Sequence, residues 1–362
     1  MKIIVPSVEI MRTGLETEFI TPEQFIEKVG RTCYKSEDKI TDDSASKFVT
    51  GLVKRGHEAM IEHWSMIFRT SPEWYGEILN DWDILMHNCS LELEEPLRPY
   101  LRFTDWVTEN DDLRCIVSGN MRAWRDYIKA CVNSFDMVPH YLHGMIRNYP
   151  LFFPEYQDWV PGHFVNNILI PISARDLVSD KERGIHMDVT VKFVCDRGVS
   201  HEIVRHRVAS FAQESTRYCN YGLDKFGNEI TVIRPSWCEE GSSVYDIWKH
   251  GCMENEETYF AMLNEGATPQ EARSVLPNSL KTELIVTMNL NGWDHFFGLR
   301  CAPDAQPDMR EVAQMAEFMF EHQVFTELDK VVDAGMDITP EVSECTEDFV
   351  ARIQKIVNHS ND

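Results

Sequence analysis

Residues 187–218, MDVTVKFVCDRGVSHEIVRHRVASFAQESTRY, combine a strand pattern, a turn and a polar cluster. From Met187 to Cys195 apolar and polar side chains alternate, as they do in a half-buried strand. Residues 196–198 predict a turn, and Ser200 is a suitable N-cap for a helix that begins at His201. The stretch therefore predicts a strand, a turn and a helix that carries the polar cluster.

The same stretch gathers cations in a chain whose formal net charge is −24. The run from Arg205 to Tyr218 holds three arginines and a histidine among hydroxyl and amide side chains. Arginine binds phosphate through two parallel hydrogen bonds, and hydroxyl groups complete such a site. On a helix, Arg205, Ala209 and Gln213 would share one face. The run predicts a site for a small phosphorylated ligand, and a solvated face paired with Glu202 is the alternative.

The order of these residues resembles the signature of the flavin-dependent thymidylate synthases (ThyX). Arg-His-Arg is followed by seven residues, then by Ser215 and by Arg217-Tyr218. Residues 56–63 resemble a second block of that family, Gly-His-x-x-x-x-Glu-His, and residues 272–277 resemble its Ala-Arg-x-x-Leu-Pro. The matching blocks cover about residues 30–76 and 187–325, somewhat over half of the chain.

The resemblance implies two sets of site residues. The FAD neighbours would be Cys33, His57, Ala59, Glu62, Arg205, His206, Arg207, Gln213, Asn289, Asn291 and His295. The nucleotide dUMP would contact Glu202, Arg205, Gln213, Glu214, Ser215, Thr216, Arg217, Arg273 and Arg300. The chain departs from the family pattern at Cys33, Ala59 and Asn291, where the family commonly has a serine, a hydroxyl residue and an arginine.

The resemblance also implies a reaction, a fold and an assembly. Such enzymes methylate dUMP to dTMP with methylenetetrahydrofolate as carbon donor, reduced FAD as hydride donor and NADPH as the source of electrons. No enzyme nucleophile is needed, and Arg300 is the expected catalytic residue because its fixed positive charge stabilises an ionised uracil ring. The implied architecture is α+β, with a mixed or antiparallel sheet flanked by helices, in a homotetramer with shared active sites.

Two segments resemble the Asn-x-Arg element that the family places on the flavin. They are Ser118–Trp124 and Thr287–Trp293. Asn289 has Arg300 eleven residues later, as the family pattern requires, so the later segment is the better match. Arg122, from the earlier segment, is an alternative source of the guanidinium that Asn291 lacks.

Residues 71–186 separate the second and third blocks and are the main departure from the pattern. Their aromatic content argues against disorder. They predict a strand at Tyr100–Thr104, a helix at Asn120–Val132 and an acidic turn at Glu94-Glu95-Pro96. We expect an inserted subdomain on one sheet edge, within a single catalytic domain that spans residues 1–362.

Local signals mark further elements outside the insertion. Thr21-Pro22-Glu23-Gln24 and Thr268-Pro269-Gln270-Glu271 are capping boxes with a proline in the first turn, so each predicts a helix start. Residues 284–290 predict a strand that ends near Asn289. These elements alternate along the chain, as expected for an α+β domain.

Composition excludes several classes of function. The acidic balance argues against duplex DNA and anionic membranes as partners, because both bind basic surfaces. The ten cysteines form no C-x-x-C pair, and the His57-Glu58 start of a zinc-protease motif fails because Ile61 stands at the second ligand position. No metal site is therefore expected. Absence of a signal segment and reduced thiols favour the cytoplasm.

Two alternatives to the synthase stay open at this point. One is another flavoenzyme that acts on a phosphorylated substrate with different folate or reductant use. The other is a non-catalytic flavin- or nucleotide-binding protein on the same scaffold, supported by Cys33, Ala59 and Asn291. Bound flavin in the purified protein would separate the enzymes from a nucleotide-binding module.

Overall fold

The computed structural model describes residues 1–16, 20–88, 100–107, 113–161 and 168–333. The strands are β1 Lys2–Ile4, β2 Ser7–Arg12, β3 Ser65–Thr70, β4 Leu101–Val107, β5 Leu113–Asn120, β6 Ile170–Ile172, β7 Asp188–Asp196, β8 Ser210–Gln213, β9 Thr231–Ile233 and β10 Lys281–Asn289. The helices are α1 Pro22–Tyr34, α2 Ser44–Lys54, α3 Pro72–Asn88, α4 Met121–Phe135, α5 His143–Asn148, α6 Asp180–His186, α7 Arg197–Ile203, α8 Ser243–Asn264, α9 Pro269–Ala272, α10 Leu290–Arg300, α11 Pro307–Met319 and α12 Thr326–Asp333. The predicted turn at Glu94-Glu95-Pro96 lies outside the described residues.

The main sheet has the order β2-β7-β10-β8, and all of its neighbouring strands are antiparallel. β7 and β10 pair along their full length, from Lys281 opposite Asp196 to Asn289 opposite Asp188. Helices flank this sheet, and a short parallel pair, β1 with β9, lies beside it. The prediction of an α+β fold with antiparallel sheets flanked by helices is confirmed.

A second antiparallel sheet has the order β4-β5-β3-β6. Its strand β3 comes from the segment before the insertion and lies between β5 and β6, which come from the insertion. Phe68 of β3 packs edge-on against the buried Trp124 of α4, with ring centroids 5.6 Å apart. The expected placement on one sheet edge is therefore corrected, because the inserted strands surround β3 and form a separate sheet. The division into one domain with a subdomain at 71–186 stays a prediction.

The segment after β7 differs from the sequence-based expectation. The Asp196 side chain accepts a hydrogen bond from the Val199 N–H at 2.7 Å and caps α7, which ends at Ile203. Residues 210–213 then form β8, paired with β10. The predicted helix from His201 through Gln213 is wrong, because pairing with β10 satisfies the backbone while it buries Ala212. Arg205 and Gln213 therefore do not share a helix face.

Candidate functional site

Arg300 is held at the C-terminal end of α10 by two residues of the signature region. Its Nε donates to Nε2 of His206 at 2.8 Å, and its Nη1 donates to Oε2 of Glu202 at 2.7 Å. Glu202 lies on α7, and its backbone oxygen accepts a further bond from Nη2 at 3.3 Å. The side chain of Arg300 keeps 20% of its surface exposed. The expected catalytic guanidinium is therefore oriented by its neighbours and remains accessible.

His206 is electrically neutral at physiological pH. Burial, the Arg300 guanidinium and His295 together lower the pKa of His206 to about 4. The His206 and His295 rings lie 6.2 Å apart between centroids, and Phe296 packs at 4.9 Å. A neutral ring that accepts at Nε2 carries its proton on Nδ1, so His206 fixes Arg300 without adding a charge.

Gln213 and Glu214 lie where β8 ends. The Gln213 amide donates to Ser200 Oγ at 2.8 Å and to Thr282 Oγ1 at 3.2 Å. Glu214 is 3% exposed and pairs with Lys281 at 2.8 Å. These contacts tie the end of β8 to α7 and β10 and set the direction of the turn that follows.

The buried carboxylate of Glu283 lies among three lysines, one of which is the Lys281 that pairs with Glu214. Glu283 lies 2.5 Å from Lys281, 2.6 Å from Lys35 and 2.7 Å from Lys192. Although burial opposes ionisation, the lysines hold the pKa of Glu283 far below its ordinary value. Sequence reasoning missed this cluster, although Lys281 and Glu283 are two residues apart on β10 and so share a face.

Four predicted nucleotide contacts, Ser215, Thr216, Arg217 and Arg273, lie at the turn after Glu214. The Ser215 N–H donates to the Cys33 carbonyl at 3.0 Å. Arg273 Nη1 donates to Thr216 Oγ1 at 3.4 Å, and Arg217 Nε donates to Gln270 at 3.0 Å. Residues 205, 217 and 273 are exposed arginines. The turn therefore presents guanidinium groups to solvent beside the half-buried Ser215 and the buried Thr216, in the combination of donors that suits an anion.

Glu62 lies at the contact between the two sheets. It accepts from Arg122 Nη1 at 2.5 Å, and its backbone oxygen accepts from Ser210 Oγ at 3.4 Å. Burial raises the pKa of Glu62, against the opposing effect of Arg122. Tyr100 donates to the Ala209 carbonyl at 3.3 Å beside this pair. Arg122 is 45% exposed, so the ion pair faces solvent on one side.

The other residues of the second block lie on the short 3₁₀ helix Glu58–His63 and beside it. His57 and Ala59 are exposed.

Cys33, at the end of α1, is buried with its Sγ 3.8 Å from the sulfur of Met60, and burial raises the pKa of its thiol to about 11. Cys33 therefore stays protonated at neutral pH and is a poor nucleophile.

Asn289 and Asn291 lie against α6, away from the Glu62 pair. Asn289 caps α10 through the Gly292 N–H at 2.9 Å, and its amide donates to the Ile185 carbonyl at 3.1 Å. The Asn291 amide approaches Gly184 so closely that a side chain at position 184 would collide with it. The structure thus joins Arg122, and not Asn291, to Glu62. Flavin contact by Asn289, Asn291 or His295 stays a prediction.

The residues that the structure describes lack two kinds of feature. Among them, no group of three histidine, cysteine or acidic side chains is arranged to hold a metal ion. Over the same ranges, no helix combines the length and apolar character needed to cross a membrane.

Part of this chain is similar to known proteins. Residues 184–324 match the family model described as thymidylate synthase complementing protein. A flavin-dependent thymidylate synthase of Pyrococcus furiosus is 41% identical over 119 residues, which are 33% of this chain and 48% of that protein. Its counterpart in Geobacter sulfurreducens is 38% identical over 117 residues, 32% of this chain and 49% of that protein. The chain spans about half the length of the curated relatives it matches.

The matched region determines which site residues share the family sequence. It includes the signature at 205–217, Arg273, and α10 with Arg300. It excludes the second block at 56–63 and the whole of α4. The predicted resemblance to the flavin-dependent thymidylate synthase family is confirmed for residues 184–324.

Proposed function

From the match of residues 184–324 to the flavin-dependent thymidylate synthases, we propose that this chain is an enzyme of that kind. It methylates the base of dUMP to give dTMP. The observation that carries this proposal is Arg300, oriented by Glu202 and a neutral His206 in the signature region. Methylenetetrahydrofolate supplies the carbon, and NADPH supplies the electrons.

Arg300 polarises the uracil ring. The bonds from Nε to His206 and from Nη1 and Nη2 to Glu202 fix the plane of the guanidinium, and 20% of the side chain is exposed. In this proposal, the N–H groups that these bonds leave form the edge that faces the base. Because an arginine remains protonated at neutral pH, this edge stabilises negative charge on the ring oxygen and nitrogen. The added electron density at ring carbon five lets that carbon take the methylene group, and its own proton leaves.

The charges and hydrogen-bonding groups around Arg300 and the signature suit a flavin. Exposed guanidinium groups at 205 and 207 suit an anionic dinucleotide, and Gln213 and His57 add hydrogen-bonding groups. Glu62 completes the proposed set. When bound, reduced FAD supplies the hydride that turns the transferred methylene group into a methyl group. The chain's own residues position the base and stabilise the negative charge that develops on it.

The nucleotide phosphate is proposed to bind at the turn after Glu214. Ser215, Thr216, Arg217 and Arg273 converge there with exposed cationic groups. Ser215 acts as a binding hydroxyl, because its Oγ accepts from the Arg217 N–H and has no histidine partner among its described contacts. Cys33 does not attack the ring, since its thiol stays protonated.

The assembly and location follow from the family and are part of the proposal. A homotetramer would let one subunit complete the site of another, and a cytoplasmic location would supply folate and NADPH. The fold would then be ThyX-like, with residues 71–186 as an insertion in the catalytic domain. Small molecules, and neither nucleic acid polymers nor membranes, are the proposed partners.

Release of tritium from dUMP labelled at ring carbon five tests this function. The assay uses FAD, NADPH and methylenetetrahydrofolate, each omitted in turn, beside Arg300→Ala. We expect release only with the full set, and a loss of at least 100-fold in the variant, as for removal of one charge-stabilising donor. Arg310→Ala on α11 serves as the matched arginine control and should keep full activity.

Two outcomes would contradict the proposal. Protein that binds FAD and dUMP but releases no tritium would favour the non-catalytic scaffold protein. Release that does not depend on folate would favour a flavoenzyme with a different reaction.

A further inference from the structure

The two four-stranded sheets share one topology. In β4-β5-β3-β6 and in β8-β10-β7-β2, each strand has the same relation to its neighbours, and every pair is antiparallel. Ser65 lies opposite Asn120 in one sheet, and Asp188 lies opposite Asn289 in the other. The pairing register therefore makes β3 equivalent to β7 and β5 equivalent to β10.

The strand ends repeat the same local design. Asn120 ends β5 and caps α4 through the Ala123 N–H at 2.8 Å, as Asn289 ends β10 and caps α10. A fully buried tryptophan follows four residues later in both cases, Trp124 and Trp293. The backbone N–H of the residue after each asparagine donates to the carbonyl of the residue just before the neighbouring strand. Met121 donates to Trp64 before β3, and Leu290 donates to Met187 before β7. The ends of β5 and β10 therefore share the capping asparagine, the buried tryptophan and the backbone hydrogen bond.

Contacts between the two sheets are reciprocal. His63, two residues before β3, bonds Thr287 of the other sheet at 2.8 Å through Nδ1. His186, two residues before β7, bonds Ser118 of the first sheet at 2.7 Å through Nδ1. Thr287 and Ser118 each stand two residues before the capping asparagine. The equivalent residues of the two sheets thus contact equivalent positions on each other. Such reciprocal contacts are the mark of twofold symmetry.

A second reciprocal pair supports the same axis. Ser210 of β8 donates to the backbone oxygen of Glu62, and Arg102 of β4 donates to that of Ile185 at 2.9 Å. Glu62 and Ile185 each stand three residues before the equivalent strands. The registers place Arg102 opposite Ser118 and Ser210 opposite Thr287, so these donors are equivalent as well.

The two halves of this pseudo-twofold interface differ in their chemistry. Around Ile185, Arg102 forms two bonds of 2.7 Å with the buried Asp188, and the exposed Asn291 lies close to Gly184, so the arginine of that half is engaged by a buried carboxylate. Around Glu62, the small Ser210 replaces the arginine.

In the Glu62 half, the residue equivalent to Asn291 is Arg122, 45% exposed and paired with Glu62. Arg122 and Arg207 both act on the Tyr100 hydroxyl, because each lowers its pKa against the larger effect of burial. Arg122 and Arg207 are both exposed, so this half offers guanidinium groups to solvent.

We propose that the two sheets are copies of one structural unit and that only the Glu62 half retains a ligand site, in which Arg122 binds the flavin. The inserted copy stands where a second subunit would stand in a twofold assembly, and it supplies Arg122 from the same chain. This assignment rests on the proposed function, because the flavin is taken from it. Arg122 thereby takes the position that spacing in the sequence gave to Asn291.

Titration of flavin-free protein with FAD, followed by flavin fluorescence, tests the assignment. Arg122→Ala should raise the Kd for FAD at least about tenfold, since it removes a charged hydrogen-bond donor. Arg122→Lys keeps the charge but loses the planar fork and should restore the affinity in part. Asn291→Ala, the pseudo-symmetric control, should leave the Kd within about twofold. Unchanged thermal unfolding of each variant shows that the fold is intact.

The outcomes separate this inference from the proposed function. If the wild-type chain binds FAD and Arg122→Ala binds it equally well, the assignment is overturned and the synthase proposal stands. A loss with Asn291→Ala as large as that with Arg122→Ala also overturns it. A wild-type chain without FAD affinity would contradict both.

Discussion

The ion pair between Arg102 and Asp188 joins the two sheets, and its removal should cost a large part of the stability. Both bonds of the fork are 2.7 Å long, and the two side chains are 14% and 7% exposed. Burial alone would raise the pKa of Asp188, but Arg102 overcomes this and holds it below its ordinary value. Arg102→Met leaves that carboxylate buried without its ion-pair partner, with Ser65 and Arg12 as its remaining stabilising neighbours. Loss of one partner of a buried pair costs about 3–5 kcal/mol of unfolding free energy.

A second route gives a similar magnitude and a pH dependence. In the variant, Asp188 can escape by taking up a proton. From an ordinary pKa of 3.8, this costs about 4 kcal/mol at pH 7 and about 2 kcal/mol at pH 5. In the wild type the folded pKa is lowered, so the stabilisation is present above 3.8 and is lost only as pH falls through the folded value. The deficit of the variant should therefore shrink by about half between pH 7 and pH 5.

Urea unfolding at a fixed protein concentration measures both quantities. Arg69→Met, an exposed arginine on β3, is the matched control and should stay within about 0.5 kcal/mol of wild type. The double variant Arg102→Met with Asp188→Asn should recover part of the loss, because no charge is left buried. A deficit below about 1 kcal/mol at pH 7, or one equal at both pH values, would refute the reasoning.

Three further predictions concern single groups. His206 should titrate near pH 4 by NMR, and stability should decline as pH falls from 6.5 towards 4, because the unfolded chain binds the proton more readily; a midpoint above 6 would contradict its burial beside Arg300. Lys281→Met removes the partner of Glu214, so the tritium-release assay should show a higher KM for dUMP with a smaller change in kcat. An unchanged KM would show that the Lys281–Glu214 pair does not position the turn after Glu214. Thr21→Ala should lower the unfolding free energy by about 1 kcal/mol in urea, since Thr21 caps α1 through the Gln24 N–H, and a loss below a few tenths would argue against that cap.

Local elements could be predicted because their signals are contiguous. The alternation at 187–195 gave β7 within one residue, and the capping boxes gave the starts of α1 and α9. The helix at Asn120–Val132 is confirmed as α4, with Asn120 as its cap. In each case the side chains that determine the element lie within a few residues of one another.

The error after β7 has a non-local cause. Residues 201–213 carry a plausible helical pattern, but the register with β10 decides the state of Ser210–Gln213. Asp196, one residue after the predicted strand, caps the helix four residues earlier than Ser200 would. A pattern within one segment contains no information on the strand that will pair with it.

The candidate site shows the same division. The resemblance placed Glu202 and Arg300 at the nucleotide and His206 at the flavin, and the structure brings all three within hydrogen-bond distance. Spacing favoured Asn291 over Arg122, whereas the fold places Arg122 on Glu62, sixty positions away in the chain. Which residue meets the flavin stays a prediction until affinities are measured.

By itself, the sequence determined β7, β10, the capped starts of α1, α4 and α9 and the residue types of a cationic site, because these depend on side-chain periodicity and short-range hydrogen bonds. Only the tertiary structure decided that the insertion builds a second sheet around β3 and that the two sheets meet through reciprocal His63 and His186 contacts. It alone paired the arginine of one half of that interface with a buried carboxylate and left the arginine of the other half exposed. The reason is physical: buried polar groups must find partners, and across the interface between the sheets those partners come from distant parts of the chain.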